Sequence, residues 1–379
     1  MLEGVTSVER RQCLVVGGGV IGLAVAVSLA RQGAQVRVLE RGTRCGEGAS
    51  GAAAGMLAAD AEATEAGPFQ ELCRSSRALW PSWAEELLRT TGVDCELERT
   101  GLVQTTASPE GVARLEQKLS WQLSHGVEVP SLLDPSQLRQ LVPGLGPHVL
   151  AGIHYPNDWH VHSHRVVEAL VAACAVQGVA IATDTEVSSI EPRPAGPRLY
   201  LADGRTVAAD YVVVCAGSWS GRLLGLAGAS ESAVEPVRGQ IVAIDPGRPL
   251  LPVILFGDRG YLLQKRSGLV LAGTTEEHVG YQPWPTADGV RGVLVAAVEL
   301  LPELAGARFA YAWAGLRPHA RDGRPLLGRT EPGGRVLLAT AHYRNGVLLA
   351  PITGELIARA VFEDADPAQL AEFSPQRWV

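Results

Sequence analysis

Between Cys13 and Glu40 the chain reads CLVVGGGVIGLAVAVSLARQGAQVRVLE, and this stretch constrains the fold more than any other. An apolar strand from Leu14 to Val16 runs into Gly17-x-Gly19-x-x-Gly22, a helix of small residues follows to about Gln32, and a second strand ends on Glu40. Each glycine answers a separate need. Gly17 allows a tight turn, Gly19 lets the backbone approach a pyrophosphate, and Gly22 lets the helix sit against the strand with its N-terminus facing the phosphates. Glu40 stands 23 residues after Gly17, where a carboxylate accepts hydrogen bonds from an adenosine ribose and repels a 2′-phosphate. The expected ligand is FAD or NAD rather than NADP. The rival is a signal peptide or membrane anchor, because Cys13 to Ala30 is uncharged and follows Arg10 and Arg11. Four glycines in that run, and a second strand directly after it, fit poorly with a spanning helix of about 20 strongly apolar residues.

At 379 residues with 46% hydrophobic content the chain can fill two sizeable cores. Its net charge of −7, without a block of like charge, argues against a nucleic-acid surface. Six scattered cysteines (Cys13, Cys45, Cys73, Cys95, Cys174, Cys215) include no CxxC pair. With no secretory signal in view, they fit a reducing cytoplasm and no structural zinc or disulfide.

A loop of small residues, Gly42 to Ala59, follows Glu40; side chains this small let backbone amides touch a flat ligand. An amphipathic helix is expected over Phe69–Arg89 and a helix over Val112–Ser124, with a strand at Leu102–Thr105 between them and a boundary at Val142–Pro147. An α/β pattern resumes with a helix over His164–Gln177, strands at Val179–Ala182 and Glu186–Ile190, and a hairpin turn at Ala202-Asp203-Gly204. Tyr211 to Cys215 reads as a buried parallel strand. It delivers Ala216, Gly217 and Trp219 to a strand end, where open α/β sheets hold ligands. Short strands at Val237–Ala243, Tyr261–Gln264 and Leu269–Ala272 announce a second, mainly antiparallel sheet. The strand Val336–Ala339, the turn HYRNG and a helix over Val347–Phe362 return to α/β. His160, His162 and His164 alternate, which on a strand would place them on one face as a metal site needs. No carboxylate or cysteine partner accompanies them, and no metal is expected.

Taken in order, the segments VVGGGVIG, AAAGMLAADAE, GVDCE, VVVCAGSWSG, PVRGQ, YLLQKRSGLVLAGTTEE, WAGLRPHARDGRPLLG and HYRNGVLLAPITGELIA carry a resemblance over nearly the full length. The chain resembles the D-amino-acid oxidase family of flavoproteins, most closely its glycine oxidase branch associated with thiamine biosynthesis. That resemblance implies an α/β fold with a Rossmann-like FAD-binding domain (residues 1–82, 151–232 and 318–379). Interwoven with it is a substrate domain built on an antiparallel sheet (83–150 and 233–317). It also implies noncovalent FAD, because the cysteine that anchors flavin in some relatives is missing from GLRPHARDG. Carried over residue by residue, Val20 and Ile21 meet the pyrophosphate, Glu40 and Arg41 the adenosine end, and the backbone of Val187 the adenine. Ala49, Ser50, Ala54, Gly55 and Met56 form the strip beside phosphate and flavin, and the turn His342, Tyr343, Arg344, Asn345, Gly346, Val347, Leu348 lies under the ring. In isolation HYRNG is explained equally well as a helix cap.

Amino-acid oxidation needs the substrate held with its α-hydrogen toward the flavin, and the resemblance supplies the anchors. Arg317 matches the guanidinium that takes the carboxylate through parallel hydrogen bonds, and Tyr261 matches the phenol that steadies it. Met56, Glu276 and Arg344 are expected beside the substrate. Glu276 stands where some members carry methionine, and either contacts the ammonium or faces solvent; Arg259 stands where some carry histidine. The expected reaction gives an imine, then oxo acid, ammonia and hydrogen peroxide, from glycine, sarcosine or a small D-amino acid with molecular oxygen. In a thiamine pathway the imine would pass to a thiazole-forming enzyme. The family implies a homo-oligomer, with no nucleic-acid or membrane partner. Two rivals share the fold: an amine dehydrogenase passing electrons to a quinone or carrier, and a flavin-bearing scaffold without turnover.

Overall fold

The computed structural model describes residues 10–127, 132–226 and 233–378. The strand Gln12–Val16 lies near the middle of a six-stranded sheet ordered 326–329, 336–340, 211–214, 12–16, 35–39, 180–182. Every neighbouring pair runs parallel except Leu326–Arg329 against Val336–Thr340. Helix Val20–Arg31 is the crossover between the first two strands in sequence. Near-continuous burial of CLVV, YVVV and VLLAT follows from cover on both faces, as parallel strands require.

Strand parity separates the two faces. Cys13, Val15, Val213, Leu337 and Ala339 point into a core built with the helices Val20–Arg31, Ser163–Val176 and Gly346–Phe362. Leu14, Val16, Val212, Val214, Val336 and Leu338 point the other way, into a core closed by the three-stranded sheet Val187–Glu191, Arg198–Leu201, Thr206–Ala208. Gly354 permits close approach of two helices: a Cβ there would stand 2.9 Å from the Ala24 carbonyl oxygen.

The second sheet has seven strands in the order 308–320, 234–245, 270–273, 260–264, 254–257, 102–106, 151–155. Its pairs are antiparallel apart from Ile254–Gly257 beside Leu102–Thr106. Val242, Ile244, Leu262 and Val270 pack against helices Pro135–Leu141 and Ala287–Leu300. Ile241, Ala243, Tyr261 and Leu263 occupy the opposite face with Ala54, Ala58 and Ala61. The sheet thus turns Tyr261 toward the small-residue segment that follows the second strand.

Most expected elements form within a few residues of their expected bounds. The helix expected over Phe69–Arg89 runs Pro68–Thr91, and that over Val112–Ser124 starts at Pro109 behind the Ser108 cap. Ala151–Tyr155 pairs with Leu102–Thr106 in the seven-stranded sheet. Of the expected domain boundaries, 82–83 falls inside a continuous helix, 317–318 inside the strand Arg308–Ala320, and residue 232 outside the described residues. No described helix is long and apolar enough to cross a membrane. The three histidines do not share a strand face: His160 ends a two-residue strand, His162 caps a helix, and His164 is in its first turn.

Candidate active site

One cavity of about 850 Å³ runs from the end of the first strand to the face of the second sheet. At its first end Gly17 and Gly22 behave as the sequence requires. Gly17 has φ +107°, and a Cβ there would sit 2.5 Å from the Cys215 carbonyl oxygen. A Cβ on Gly22 would lie 2.0 Å from the Gly17 carbonyl oxygen, so glycine alone allows this helix to seat on this strand. Leu23 donates the first intrahelical bond, to Gly19, and the Val20 amide donates to Ser50 Oγ at 2.9 Å; Ile21, on the same first turn, lines the cavity. Glu40 accepts from the amides of Gly18 (2.6 Å) and Gly42 (2.7 Å), one on each carboxylate oxygen. That fixes the carboxylate on the cavity wall with lone pairs to spare. Arg41 stacks over Trp219, 3.7 Å from the ring centroid, and Val187 lines the wall nearby.

The middle of the cavity is walled by Ala49, Ser50, Ala54, Gly55 and Met56. The loop expected over Gly42–Ala59 contains a helical turn, Ala49–Ala52, and a two-residue strand, Met56–Leu57. Four successive carbonyls of the segment are satisfied by other parts of the fold. Ala52 accepts from Trp313 Nε1 (3.1 Å), Ala53 from Ser163 Oγ (2.6 Å), Ala54 from Lys265 Nζ (2.7 Å) and Gly55 from the Val161 amide (2.9 Å). Lys265 is buried, which pulls its pKa down to about 7. Pinned in this way, the strip presents a rigid, shallow surface to a flat ligand.

At the far end two side chains lie across glycines. Arg317 covers Gly239, where a Cβ would stand 2.1 Å from Nη2, and the Tyr261 ring covers Gly273, where a Cβ would stand 2.5 Å from its hydroxyl. Arg317 donates from Nη2 to Thr274 Oγ1 (2.6 Å) and from Nη1 to the Thr275 carbonyl (3.2 Å). It makes no ion pair among the described residues, although burial lowers its pKa. Burial likewise raises the pKa of Tyr261, keeping its hydroxyl protonated. Glu276 is paired with Arg344 at the rim, each side chain partly exposed. Arg259 is exposed and paired with Glu299.

The turn after Val336–Thr340 has two non-glycine residues at positive φ, Ala341 (+59°) and Tyr343 (+49°), the kind of backbone strain that collects at ligand sites. Buried His342 is held neutral, its pKa driven to about 3, and its Nε2 lies 3.1 Å from Thr353 Oγ1. His342 through Val347 line the cavity at the start of helix Gly346–Phe362. Ala216, Gly217 and Trp219 line it from the end of strand Tyr211–Val214.

All the expected site residues meet in this one cavity except Gly22 and Leu348, which stand behind its wall. Leu348 is buried, and its carbonyl accepts from Ser76 Oγ and Trp80 Nε1. Lining residues without a sequence-based assignment include Glu62, Ile241, Phe256 and Thr274. Glu62 closes the motif AAAGMLAADAE and Thr274 lies in LAGTTEE, so the signal was present without a role. A glycine-lined turn, a carboxylate at the ribose distance, a helix N-terminus and a pinned small-residue strip suit an extended dinucleotide. The residues therefore fit FAD.

Comparison with known proteins agrees. Residues 12–360 match the family described as FAD dependent oxidoreductase. The chain is 36% identical over 373 residues to a glycine oxidase of Geobacillus kaustophilus, covering 98% of each protein. It is 34% identical to a bifunctional protein ThiO/ThiG of Synechocystis, over 97% of this chain and 54% of that protein. The crystal structure of glycine oxidase from Geobacillus kaustophilus superposes with a TM-score of 0.92 at 35% identity, covering 97% of this chain and all of that one. The crystal structure of L-proline dehydrogenase from P. horikoshii shares the fold, with a TM-score of 0.86 at 22% identity and 97% and 98% coverage. The chain belongs to the D-amino-acid oxidase family of FAD-dependent oxidoreductases and is an FAD-dependent amino-acid oxidase.

Proposed function

We propose that the chain oxidatively deaminates glycine and related small amines, sarcosine and small D-amino acids among them. The observation that carries this reading is the Arg317 guanidinium. It is partly buried, held by two threonines, has no carboxylate partner among the described residues, and shares a cavity with Tyr261 and the dinucleotide end. Bound FAD would supply the hydride acceptor for the α-hydrogen, with molecular oxygen as the final oxidant and hydrogen peroxide as its product.

The protein's own residues bind and orient. Arg317 receives the substrate carboxylate through parallel N–H bonds and the Tyr261 hydroxyl donates a third, which fixes Cα. Loss of hydride leaves an imine, and water converts it to ammonia and an oxo acid, glyoxylate from glycine. Val20 and Ile21 are assigned to the pyrophosphate, Glu40 and Arg41 to the adenosine, Val187 to adenine, and the 49–56 strip and 342–348 turn to the flavin. The segment GLRPHARDG contains no cysteine, and FAD is proposed to be noncovalent. The six-stranded sheet with its helices forms the proposed FAD-binding domain, and the seven-stranded sheet the proposed substrate domain. The ThiO/ThiG relatives support a role in supplying a thiazole-forming enzyme with the imine. A cytoplasmic homo-oligomer is proposed on the family resemblance.

The test is product stoichiometry in air. Equal amounts of glyoxylate, ammonia and peroxide from glycine are expected. Absence of all three with glycine, sarcosine, D-alanine and D-proline would overturn the assignment.

A further inference from the structure

Glu62 enters the substrate end of the cavity on a turn whose backbone is gripped from all sides. The amides of Asp60 and Ala61 donate to Asp158, at 3.3 and 2.7 Å. The Asp60 carbonyl accepts from Gln122 Nε2 at 2.9 Å, and the Ala61 carbonyl from Lys118 Nζ. The holders are themselves fixed: Arg77 bonds Asp60 at 2.6 Å and also Asp158, and the Tyr155 hydroxyl donates to Gln122 at 3.0 Å. Asp60, Arg77, Gln122 and Asp158 are all buried. Ordering this many buried polar groups around three backbone units places the next residue in the chain rigidly. That residue is a carboxylic acid on the wall shared by Arg317, Tyr261 and Arg344.

The charged and titratable groups acting on Glu62 come from every element around it. Arg344 is on the 342–346 turn, Arg317 on strand Arg308–Ala320, Lys118 on helix Pro109–Ser124, Tyr261 on strand Gly260–Gln264 and Cys73 on helix Pro68–Thr91. Burial raises the Glu62 pKa, and this outweighs the opposing pull of Arg344, Arg317 and Lys118. Glu62 makes no ion pair among the described residues, whereas Glu276, the other acid at this end, is paired with Arg344. An acid fixed on this wall with no ion-pair partner among the described residues, its affinity for a proton raised by burial, is a stronger base than an exposed carboxylate.

An amino acid meets the cavity as a zwitterion, and its ammonium has no lone pair with which to expel a hydride. We propose that Glu62 is a catalytic residue that accepts the ammonium proton, so that the amine is neutral when the α-hydrogen leaves. The N–H bond breaks with its electron pair left on nitrogen, and the proton passes to a Glu62 oxygen. That lone pair forms the C=N bond as the C–H pair departs as hydride in the reaction proposed above. Protonated Glu62 then returns its proton to solvent. The positive charges of Arg317 and Arg344 work in the same direction, since they disfavour an ammonium and favour a neutral amine.

This inference rests on the cavity being an amino-acid site, and the experiment separates the two. Wild-type, Glu62→Gln and Glu62→Asp holoenzymes are compared by the pH profile of kcat/KM for glycine. Binding of glycolate, which has the carboxylate without the amine, is followed by perturbation of the flavin spectrum. Glu62→Gln is expected to lose the wild-type acid limb and to rise about tenfold per pH unit toward the substrate's own amine pKa, with glycolate affinity within threefold of wild type. Glu62→Asp is expected to restore a displaced acid limb. An unchanged pH profile in Glu62→Gln, or parallel loss of glycolate binding and turnover at every pH, would overturn the proton-acceptor role. A wild-type enzyme inert to every small amine would instead overturn the proposed function.

Discussion

Arg317 carries a prediction in which fold and function pull in opposite directions. Its guanidinium uses one N–H from each Nη to hold Thr274 Oγ1 and the Thr275 carbonyl, and the fork leaves further N–H donors for a carboxylate. Lysine keeps the charge but, as a compact ammonium, cannot hold the threonines and take a carboxylate bidentately. Losing one charge-assisted bond costs about 1.5–3 kcal/mol, so Arg317→Lys is expected to lower kcat/KM for glycine roughly ten- to hundredfold, chiefly through KM. Arg317→Met removes both bonds, about 3–6 kcal/mol, or roughly a hundredfold to ten-thousandfold. Stability is expected to move the other way. A partly buried, desolvated cation with no carboxylate partner among the described residues is a burden on the fold, and a methionine of similar reach relieves it. The Tm of Arg317→Met, measured without substrate, should equal or exceed that of wild type, with flavin content unchanged. Turnover within threefold of wild type, or a large fall in Tm, would show that Arg317 is a structural residue and refute the reasoning.

Tyr261→Phe keeps the ring over Gly273 and removes the donor, so an unchanged Tm is expected with a roughly ten- to hundredfold loss in kcat/KM, about 1.5–3 kcal/mol. Gly22→Ala forces a Cβ to within 2.0 Å of the Gly17 carbonyl oxygen, and overpacking of about 1–3 kcal/mol is expected as a lower Tm and poor retention of FAD on gel filtration. His342 gives a pH signature. Burial drives its pKa from the usual 6.5 to about 3, so between these values the unfolded chain binds the extra proton and stability falls as the pH drops. The slope is about 1.4 kcal/mol per pH unit, and urea titrations from pH 6.5 to 4 should show it reduced in His342→Asn. Equal slopes in the two proteins would count against a buried neutral histidine.

The parts of this molecule that were legible in sequence are those where local chemistry leaves few alternatives. Gly17, Gly19 and Gly22 fall between an apolar strand and a small-residue helix, the context that makes their spacing a strand-to-helix turn, and Leu14–Val16 and Tyr211–Val214 are apolar throughout because both faces are covered. Pairing was less legible. Nothing between Leu102 and Thr106 reveals that Ala151–Tyr155 lies on one side and Ile254–Gly257 on the other, since register between distant segments is set by the whole sheet. Arg317 and Tyr261 were found through resemblance; in composition they are an ordinary arginine and tyrosine, and what marks them structurally is a glycine under each. Glu62 stood at the end of a legible motif but without a legible role, because its place depends on Lys118, Gln122 and Asp158, each more than fifty positions away. The alternating histidines look like one strand face in sequence, and a strand-to-helix junction at His162 disperses them.

Anaerobic titration of the FAD-loaded protein with glycine, followed by admission of air, tests the central claim most directly. The account predicts bleaching of the flavin by glycine, then prompt return of colour with one equivalent of peroxide. No bleaching by glycine, sarcosine, D-alanine or D-proline would contradict the amino-acid site itself. Bleaching followed by slow recovery without peroxide would contradict the oxidase and leave a dehydrogenase with another electron acceptor.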